Sequence, residues 1–145
     1  MRTVAIILAG GAGKRMGAPT NKQFLLLDNK PIIVHTLEVF EECRAIDGIY
    51  LVVNQKDLSI FQEEILETYR FPKLMKLVIG GRLRQDSVRN GLEAIDNSCY
   101  TVVIHDGARP FLTPSFVEKG ISLMEMFDAI IPAVPVKDTI KVISK

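Results

Sequence analysis

The chain has 145 residues, enough for one domain with a hydrophobic core. Eighteen basic against seventeen acidic residues leave a net charge of +1, so no bulk field attracts a nucleic acid or a membrane surface, and an anion site must be a local cluster. Cys43 and Cys99 form neither a disulfide framework nor a metal-ligand spacing, and we expect both to be buried in a reducing compartment. The first apolar run breaks into glycines too early for a membrane span or a signal peptide, which predicts a cytoplasmic protein.

Five short apolar runs predict β-strands that are covered on both faces. In chain order they are Val4–Leu8, Gly48–Val53, Leu77–Ile79, Tyr100–Ile104 and Ala129–Val134. Apolar residues at helical spacing between these runs predict four amphipathic helices. Their apolar faces are Ile33, Leu37 and Phe40; Leu58, Phe61, Ile65 and Tyr69; Val88, Leu92 and Ile95; and Val117, Ile121 and Met124, with the last helix starting at Thr113-Pro114. The alternation predicts an α/β fold of three layers around a mostly parallel, Rossmann-like sheet.

Three polar, glycine-containing segments each follow a predicted strand: Ala9–Gln23, Gly80–Ser87 and His105–Pro110. Ligands of open α/β folds bind beyond the carboxyl ends of the strands. We therefore expect the three segments to converge at one edge of the sheet and to form the functional site there.

The first of these segments combines glycines with basic side chains: Gly10, Gly11 and Gly13 are followed by Lys14, Arg15 and Lys22. Glycines let backbone amides approach a phosphate closely, and the cations add fixed positive charge. The segment is not a Walker A loop, because Leu8 stands where the first glycine would be and Arg15 follows Lys14. A dinucleotide fingerprint is excluded because Met16 occupies its third small position. The remaining alternative is a glycine-rich turn with solvated lysines.

The segment Leu8–Phe24 resembles the signature loop of sugar nucleotidyltransferases, L-A-x-G-x-G-x-R-M followed by P-K-Q. Three further motifs follow in order: Gly80-Gly81 with Arg84–Val88, then His105–Phe111, then Pro135–Lys141. Together they are similar to the 2-C-methyl-D-erythritol 4-phosphate cytidylyltransferase family over the whole chain. The resemblance implies a nucleotidyltransferase-type fold, with residues 1–134 as the nucleotide-binding domain and residues 135–145 as the start of a projecting β-arm. It also implies that the chain is truncated relative to the family and lacks part of the active site.

The same resemblance implies an activity, the joining of CTP to 2-C-methyl-D-erythritol 4-phosphate with release of pyrophosphate. Arg15 and Lys22 match catalytic residues that stabilise the charge developing on the α-phosphoryl group. Asp106 matches the residue that holds the Mg²⁺ cofactor on the triphosphate, since Mg²⁺ prefers carboxylate and phosphate oxygens. An Asp-Gly pair is also a common turn, which is the simpler interpretation of Asp106.

Further residues match the family's binding positions. The nucleotide-binding set is Ala9, Gly10, Gly11, Gly13, Gly81 and Ser87, and the resemblance implies that cytosine is read by backbone groups and by the Ser87 hydroxyl. Arg109 matches a residue that binds the sugar-alcohol phosphate, although a salt bridge closing its own loop is the alternative. Thr139 matches the arm segment that reaches a partner subunit's substrate pocket, which implies a homodimer.

Two rival functions remain open. A ribitol 5-phosphate cytidylyltransferase shares the first loop and the His-Asp-x-x-Arg-Pro-Phe turn, but Arg84–Val88 and Val136–Lys141 favour methylerythritol phosphate. A non-catalytic CTP-binding fragment is the alternative from a different class. One departure from the family pattern also bears on the site: Asn21 stands where the family has a proline before Lys-Gln-Phe, so the reach of Lys22 is open.

Overall fold

A four-stranded parallel sheet forms the centre of the computed structural model, which describes residues 2–11, 21–96 and 98–142. Its strands are β1 Arg2–Ala9, β4 Gly48–Val53, β5 Leu74–Ile79 and β6 Cys99–Asp106. Their spatial order in the sheet is β5-β4-β1-β6. The parallel α/β sheet predicted from the apolar runs is therefore confirmed, and four of the five predicted strands are present.

A short antiparallel hairpin follows the first loop. Its strands are β2, Leu26–Leu27, and β3, Lys30–Pro31. The two residues between them, Asp28 and Asn29, have φ values of 51° and 59°. These residue types tolerate the left-handed region, and two-residue hairpin turns of this kind require it.

Three helical segments cover one face of the sheet. They are α1, Ile32–Glu42; the segment 55–68, which passes from a 3-10 turn through π-helical Ile60–Ile65 into the short α2, Leu66–Thr68; and α4, Pro114–Leu123. The largest core cluster joins their apolar residues to inward-facing residues of the sheet: Ile33, Leu37, Phe40, Phe61, Ile65 and Val117 pack with Ala5, Ile7, Leu51 and Val53. The predicted apolar faces of these three segments are confirmed except at Met124, which follows the end of α4 and is not part of this cluster.

The opposite face of the sheet is covered by α3, Arg84–Glu93. This helix lies close to the sheet, since a Cβ at Gly91 would come within 2.8 Å of Ile6 Cγ2. Its buried residues are Ser87 and Gly91, one helical turn apart. The prediction that Leu92 faces the core is wrong, because Leu92 is 45% exposed. A residue next to Gly91 is turned away by about 100°, so the small residues, and not the leucine, set the inward face.

The fifth predicted strand is also wrong. Residues 129–134 have no strand pairing, and Ile131 and Val134 are 85% and 86% exposed. An apolar run becomes a strand only where a neighbouring strand pairs its backbone groups, and no described strand lies beside this one. Residues 135–142 are likewise irregular and exposed, so the β-arm stays a prediction. Within the described ranges, no helix has the length and apolar character needed to cross a bilayer.

Of the two cysteines, Cys43 is fully buried, and burial raises the pKa of its thiol. A buried thiol with a raised pKa is a poor nucleophile, which confirms the structural interpretation of Cys43. The side chain of Cys99 lies outside the described part of the structure.

Candidate functional site

The carboxyl ends of the four parallel strands finish level with one another. Ala9 pairs with Val53, Val53 pairs with Ile79, and Leu8 pairs with Asp106. The chain leaving the sheet is held at the same level, because the Gly80 amide donates to the Val53 carbonyl at 2.8 Å and the Gly107 amide donates to the Leu8 carbonyl at 2.8 Å. The three glycine-containing segments therefore start from one edge, as predicted.

Ser87 joins the first and second of these segments. Its Oγ accepts a hydrogen bond from the Gly81 amide at 3.1 Å and donates to the Leu83 carbonyl at 3.3 Å. A Cβ at Gly10 would lie 3.9 Å from the same oxygen, so the start of the first loop is close to it. The structure thus brings Gly10, Gly81 and Ser87 together in one surface at the carboxyl edge, across the end of β4.

The N-terminus of α3 opens toward this surface and fixes the glycines beside it. The Asp86 carboxylate accepts a hydrogen bond from the Leu83 amide at 2.9 Å, which caps the helix. A Cβ at Gly81 would come within 2.2 Å of the Asp86 Cβ. Only glycine fits there without displacing the cap. The residue type predicted for nucleotide binding at position 81 therefore has a packing cause as well.

Asp106 is the centre of the charged half of the site. Its Oδ1 accepts from Arg84 Nε at 3.2 Å and from an Arg84 terminal nitrogen at 3.0 Å, and its Oδ2 lies 3.1 Å from Arg109 Nε. The Asp106 side chain is 34% exposed, and the side chains of Arg84 and Arg109 are 64% and 75% exposed. The salt bridge that was the alternative for Arg109 is thus present, and two exposed cations flank a carboxylate that solvent can reach.

The turn after Asp106 is held from behind by α1. Thr36 Oγ1 donates to the Gly107 carbonyl at 2.8 Å in a buried contact, and a Cβ at Gly107 would meet Ile33 Cδ1 at 2.7 Å. His105 packs its ring 5.3 Å from that of Phe40 and contacts the Arg109 carbonyl through Nε2 at 3.0 Å. His105 therefore supports the turn as a packed loop residue.

The far end of the first segment is tied back to the sheet. Gln23 Nε2 donates to the Ala9 carbonyl at 2.7 Å, and both Gln23 and the neighbouring Asn21 donate to Asp57. Lys22 begins a single 3-10 turn, Lys22–Phe24, and its side chain is exposed. The structure therefore fixes the backbone on both sides of Lys22 at the carboxyl edge of the sheet.

The structure does not test every predicted site residue. Gly13 and Arg15 lie outside the described residues. Gly11 is exposed, and a Cβ built on it would meet none of the described atoms within 4 Å. Thr139 lies in the exposed irregular segment, and no hydrogen bond or ion pair joins it to the described residues of the edge.

Sequence reasoning missed or underrated three residues. The motif around Arg84 suggests only a supporting or anion-attracting role for it, yet its guanidinium donates twice to the Asp106 carboxylate, at 3.0 and 3.2 Å. Gln23 stood inside a quoted motif with no role assigned to it. Asp57 carried no signal, because nothing in Gln55–Asp57 indicates that a residue after the second buried strand reaches the first loop.

The level strand ends and the glycine-containing segments that follow them define an open α/β domain, a class whose ligands bind beyond the carboxyl ends of the strands. The family model for 2-C-methyl-D-erythritol 4-phosphate cytidylyltransferase matches residues 3–145. The chain therefore belongs to this family.

Relatives with that name resemble the chain along almost its whole length. The protein from Alkaliphilus oremlandii is 47% identical over 141 residues, which are 97% of this chain and 60% of the relative. The protein from Clostridium perfringens is 48% identical, over 97% of this chain and 62% of the relative. A solved 4-diphosphocytidyl-2C-methyl-D-erythritol synthase from Anaerococcus prevotii superposes with a TM-score of 0.84 at 32% identity, covering 99% of this chain and 59% of that one. The chain thus spans about three fifths of the length of these relatives.

Proposed function

We propose that the full-length protein transfers a cytidylyl group from CTP to 2-C-methyl-D-erythritol 4-phosphate and releases pyrophosphate. The observation that carries the proposal is the meeting of two halves at one sheet edge: a neutral glycine and serine surface beside a carboxylate flanked by two arginines. The names of the relatives support the choice of substrate, and the neutral and charged halves of the edge support a base on one side and phosphates on the other.

In the proposed reaction, an oxygen of the sugar-alcohol phosphate attacks the α-phosphorus of CTP. A bond from that oxygen to the α-phosphorus forms while the bond between the α-phosphorus and the bridging oxygen breaks, and pyrophosphate leaves with the electron pair. A phosphate monoester is already anionic at neutral pH, since its second pKa is about 6. The site therefore needs positive charge more than it needs a general base.

Lys22 and Arg15 are proposed as the cations that stabilise this transition state. Lys22 suits the role because its side chain is exposed at the carboxyl edge while its neighbours are held. Arg109 is proposed to bind the sugar-alcohol phosphate, with its side chain 75% exposed and its guanidinium already oriented by Asp106. An arginine held in this way can present the remaining N–H donors of its fork to a phosphate.

Cytosine is proposed to lie against the neutral half of the site. Ala9 ends β1 and Gly10 follows it, Gly81 follows β5, and Ser87 lies between them. Small residues leave room for a flat base to approach backbone groups. The Ser87 hydroxyl accepts a hydrogen bond from the Gly81 amide. We therefore propose that Ser87 contributes to base recognition in two ways, directly through its own oxygen and indirectly by fixing the position of that amide.

Asp106 is proposed to hold the Mg²⁺ cofactor. The residue fits in its chemistry, because it is an oxygen ligand, is 34% exposed and lies at the edge where phosphates would be. Across the described part of the chain, no group of three His, Cys, Asp or Glu residues could hold a metal ion, so phosphate oxygens would have to complete the coordination. Bound there, the metal would neutralise charge on the triphosphate. Arg84 and Arg109 would have to share or yield the carboxylate.

The arm that includes Thr139 is proposed to complete the substrate pocket of a partner subunit in a homodimer, and the protein is proposed to work in the cytoplasm. The rival from a different class, a chain that binds CTP without turnover, stays open because the chain spans only part of its relatives.

A pyrophosphate-release assay on the full-length protein tests the proposal. With Mg²⁺ and CTP, we expect turnover with 2-C-methyl-D-erythritol 4-phosphate and much slower turnover with ribitol 5-phosphate. UTP and ATP should be poorer than CTP. Faster reaction with ribitol 5-phosphate would assign the rival substrate, and CTP binding without product from either would support the non-catalytic alternative.

A further inference from the structure

A buried carboxylate outside the nucleotide surface closes the two ends of the glycine loop. Asp57 Oδ2 accepts hydrogen bonds from Asn21 Nδ2 at 2.6 Å and from Gln23 Nε2 at 3.4 Å. Gln23 Nε2 also donates to the Ala9 carbonyl at 2.7 Å. We call these four residues, Ala9, Asn21, Gln23 and Asp57, the loop clasp, because they join the last residue of β1 to the chain that returns after the loop.

The clasp is built into the core of the edge. Gln23 is 2% exposed and Asp57 is 7% exposed, and the hydrogen bonds of Gln23 are buried. Buried polar groups of this kind are costly unless they are paired, so the arrangement is held in one geometry. Asp57 itself is fixed by the turn Gln55–Asp57, where its amide donates to the Asn54 carbonyl at 3.0 Å.

Lys22 lies between the two residues that Asp57 holds. Asn21 and Gln23 point inward to the carboxylate, whereas Lys22 points to solvent at the same edge. In this chain Asn21 stands where the family pattern has a proline. The Asn21 side chain donates a hydrogen bond to Asp57, whereas a proline side chain has no donor and could not make this contact.

We propose that Asp57 is a positioning residue for the transfer reaction, acting through Asn21 and Gln23 to fix the backbone from which Lys22 reaches the reacting phosphates. The inference rests on the proposed function, in which Lys22 stabilises the transition state. It assigns Asp57 no contact with substrate. A displacement of about 1 Å at a reacting group costs on the order of 100-fold in rate, so loss of the clasp lowers turnover even though the fold survives.

The test compares kcat and KM for four variants of the full-length protein: Asp57→Ala, Asp57→Asn, Lys22→Ala and the double variant of Asp57→Ala with Lys22→Ala. We expect Asp57→Ala to lower kcat by roughly 10- to 100-fold with little change in the KM for CTP. Asp57→Asn keeps an acceptor oxygen and should recover most of the rate. In the double variant the rate should equal that of Lys22→Ala, because Asp57 acts through Lys22.

A matched control separates positioning from stability. Asp47 holds the other end of β1, where its Oδ2 accepts from the Thr3 amide at 2.8 Å. Asp47→Ala should lower the melting temperature but leave kcat within about twofold of wild type, since that contact lies at the opposite end of the strand from the site. Additive rate effects of Asp57→Ala and Lys22→Ala, or equal kcat losses for Asp57→Ala and Asp47→Ala, would overturn the positioning role.

A second readout does not depend on activity. Trypsin should cleave after Lys22 at least several-fold faster in Asp57→Ala than in wild type or Asp47→Ala, because the bond between Lys22 and Gln23 is held by the clasp. Unchanged cleavage would overturn the clasp. A wild-type protein with no turnover would overturn the proposed function and the positioning role of Asp57 with it, whereas active wild type with additive variants would overturn only the role of Asp57.

Discussion

Two carboxylates at the same edge of the sheet, those of Asp57 and Asp106, lie in opposite environments. Asp57 is 7% exposed and is bonded by the neutral amides of Asn21 and Gln23. Asp106 has a side chain that is 34% exposed and is flanked by the charged groups of Arg84 and Arg109. The first carboxylate has its partners inside the protein, and the second has partners that a ligand can replace.

This difference in burial and in partners explains how one edge of the sheet can combine a fixed carboxylate with an exchangeable one. Neutral donors around a buried acceptor make a fixed network that costs several hydrogen bonds to open. Exposed ion pairs are worth little, with a median of about 0–1 kcal/mol, so they would rearrange at small cost if the proposed phosphates and cation bound at this edge. The Asp57 side therefore holds the loop, and the Asp106 side is free to exchange partners.

The largest effect should come from removing the charge at the exposed carboxylate. Asp106→Asn should lower turnover of the full-length protein by about 100-fold or more, because an amide is a weak ligand for Mg²⁺ and leaves the arginines without their counter-charge. Steady-state assays at several Mg²⁺ concentrations check this. Glu93→Gln is the control, since it removes a carboxylate from an exposed ion pair on α3, and its kcat should match wild type. An equal loss in both variants would contradict a specific role for Asp106.

The stability of the two sites should differ in the reverse order. Asp57→Ala should lower the free energy of unfolding by about 1–3 kcal/mol, because buried amide donors lose their acceptor. Asp106→Ala should change it by less than about 1 kcal/mol, as for other exposed ion pairs. Urea denaturation of both variants measures the two values. If Asp106→Ala is the more destabilising change, the contrast between a fixed and an exchangeable carboxylate is wrong.

The smallest effect tests the neutral surface that both carboxylates border. Ser87→Ala should weaken CTP binding by about 1 kcal/mol, or roughly fivefold, because the Gly81 amide loses its hydrogen-bond acceptor and shifts. Calorimetry with CTP and UTP provides the measurement. Equal affinities of the wild-type protein for the two nucleotides would remove the assignment of this loop to base recognition.

Elements that depend on local sequence were predicted well, whereas elements that depend on contacts with distant parts of the chain were not. Gly48–Val53 was predicted with its observed bounds, since a strand buried on both faces is apolar throughout. Leu92 misled because helical spacing does not say how closely a helix approaches the sheet, which Gly91 decides here. Residues 129–134 misled because a strand needs a neighbour as well as an apolar run.

The site shows the same limit. Gly81 and Asp106 were found because they belong to local motifs next to strand ends, and the structure brings them to one edge. Asp57 could not be found, since its partners Asn21 and Gln23 lie 36 and 34 residues away in the chain. The roles of Gly81, Asp106 and Asp57 in the reaction remain predictions.

The contact between Gln23 and Ala9 has a further consequence for how this loop can change. This hydrogen bond joins residues fourteen apart in the chain, so the segment between them is a loop whose two ends are held together. The entropy of closing a ring grows only with the logarithm of its length, and two inserted residues would cost about 0.1 kcal/mol. Insertions between the two ends would therefore alter the reach of the basic side chains while barely touching the melting temperature. Such a ring lets loop length diverge among related proteins under selection for chemistry alone.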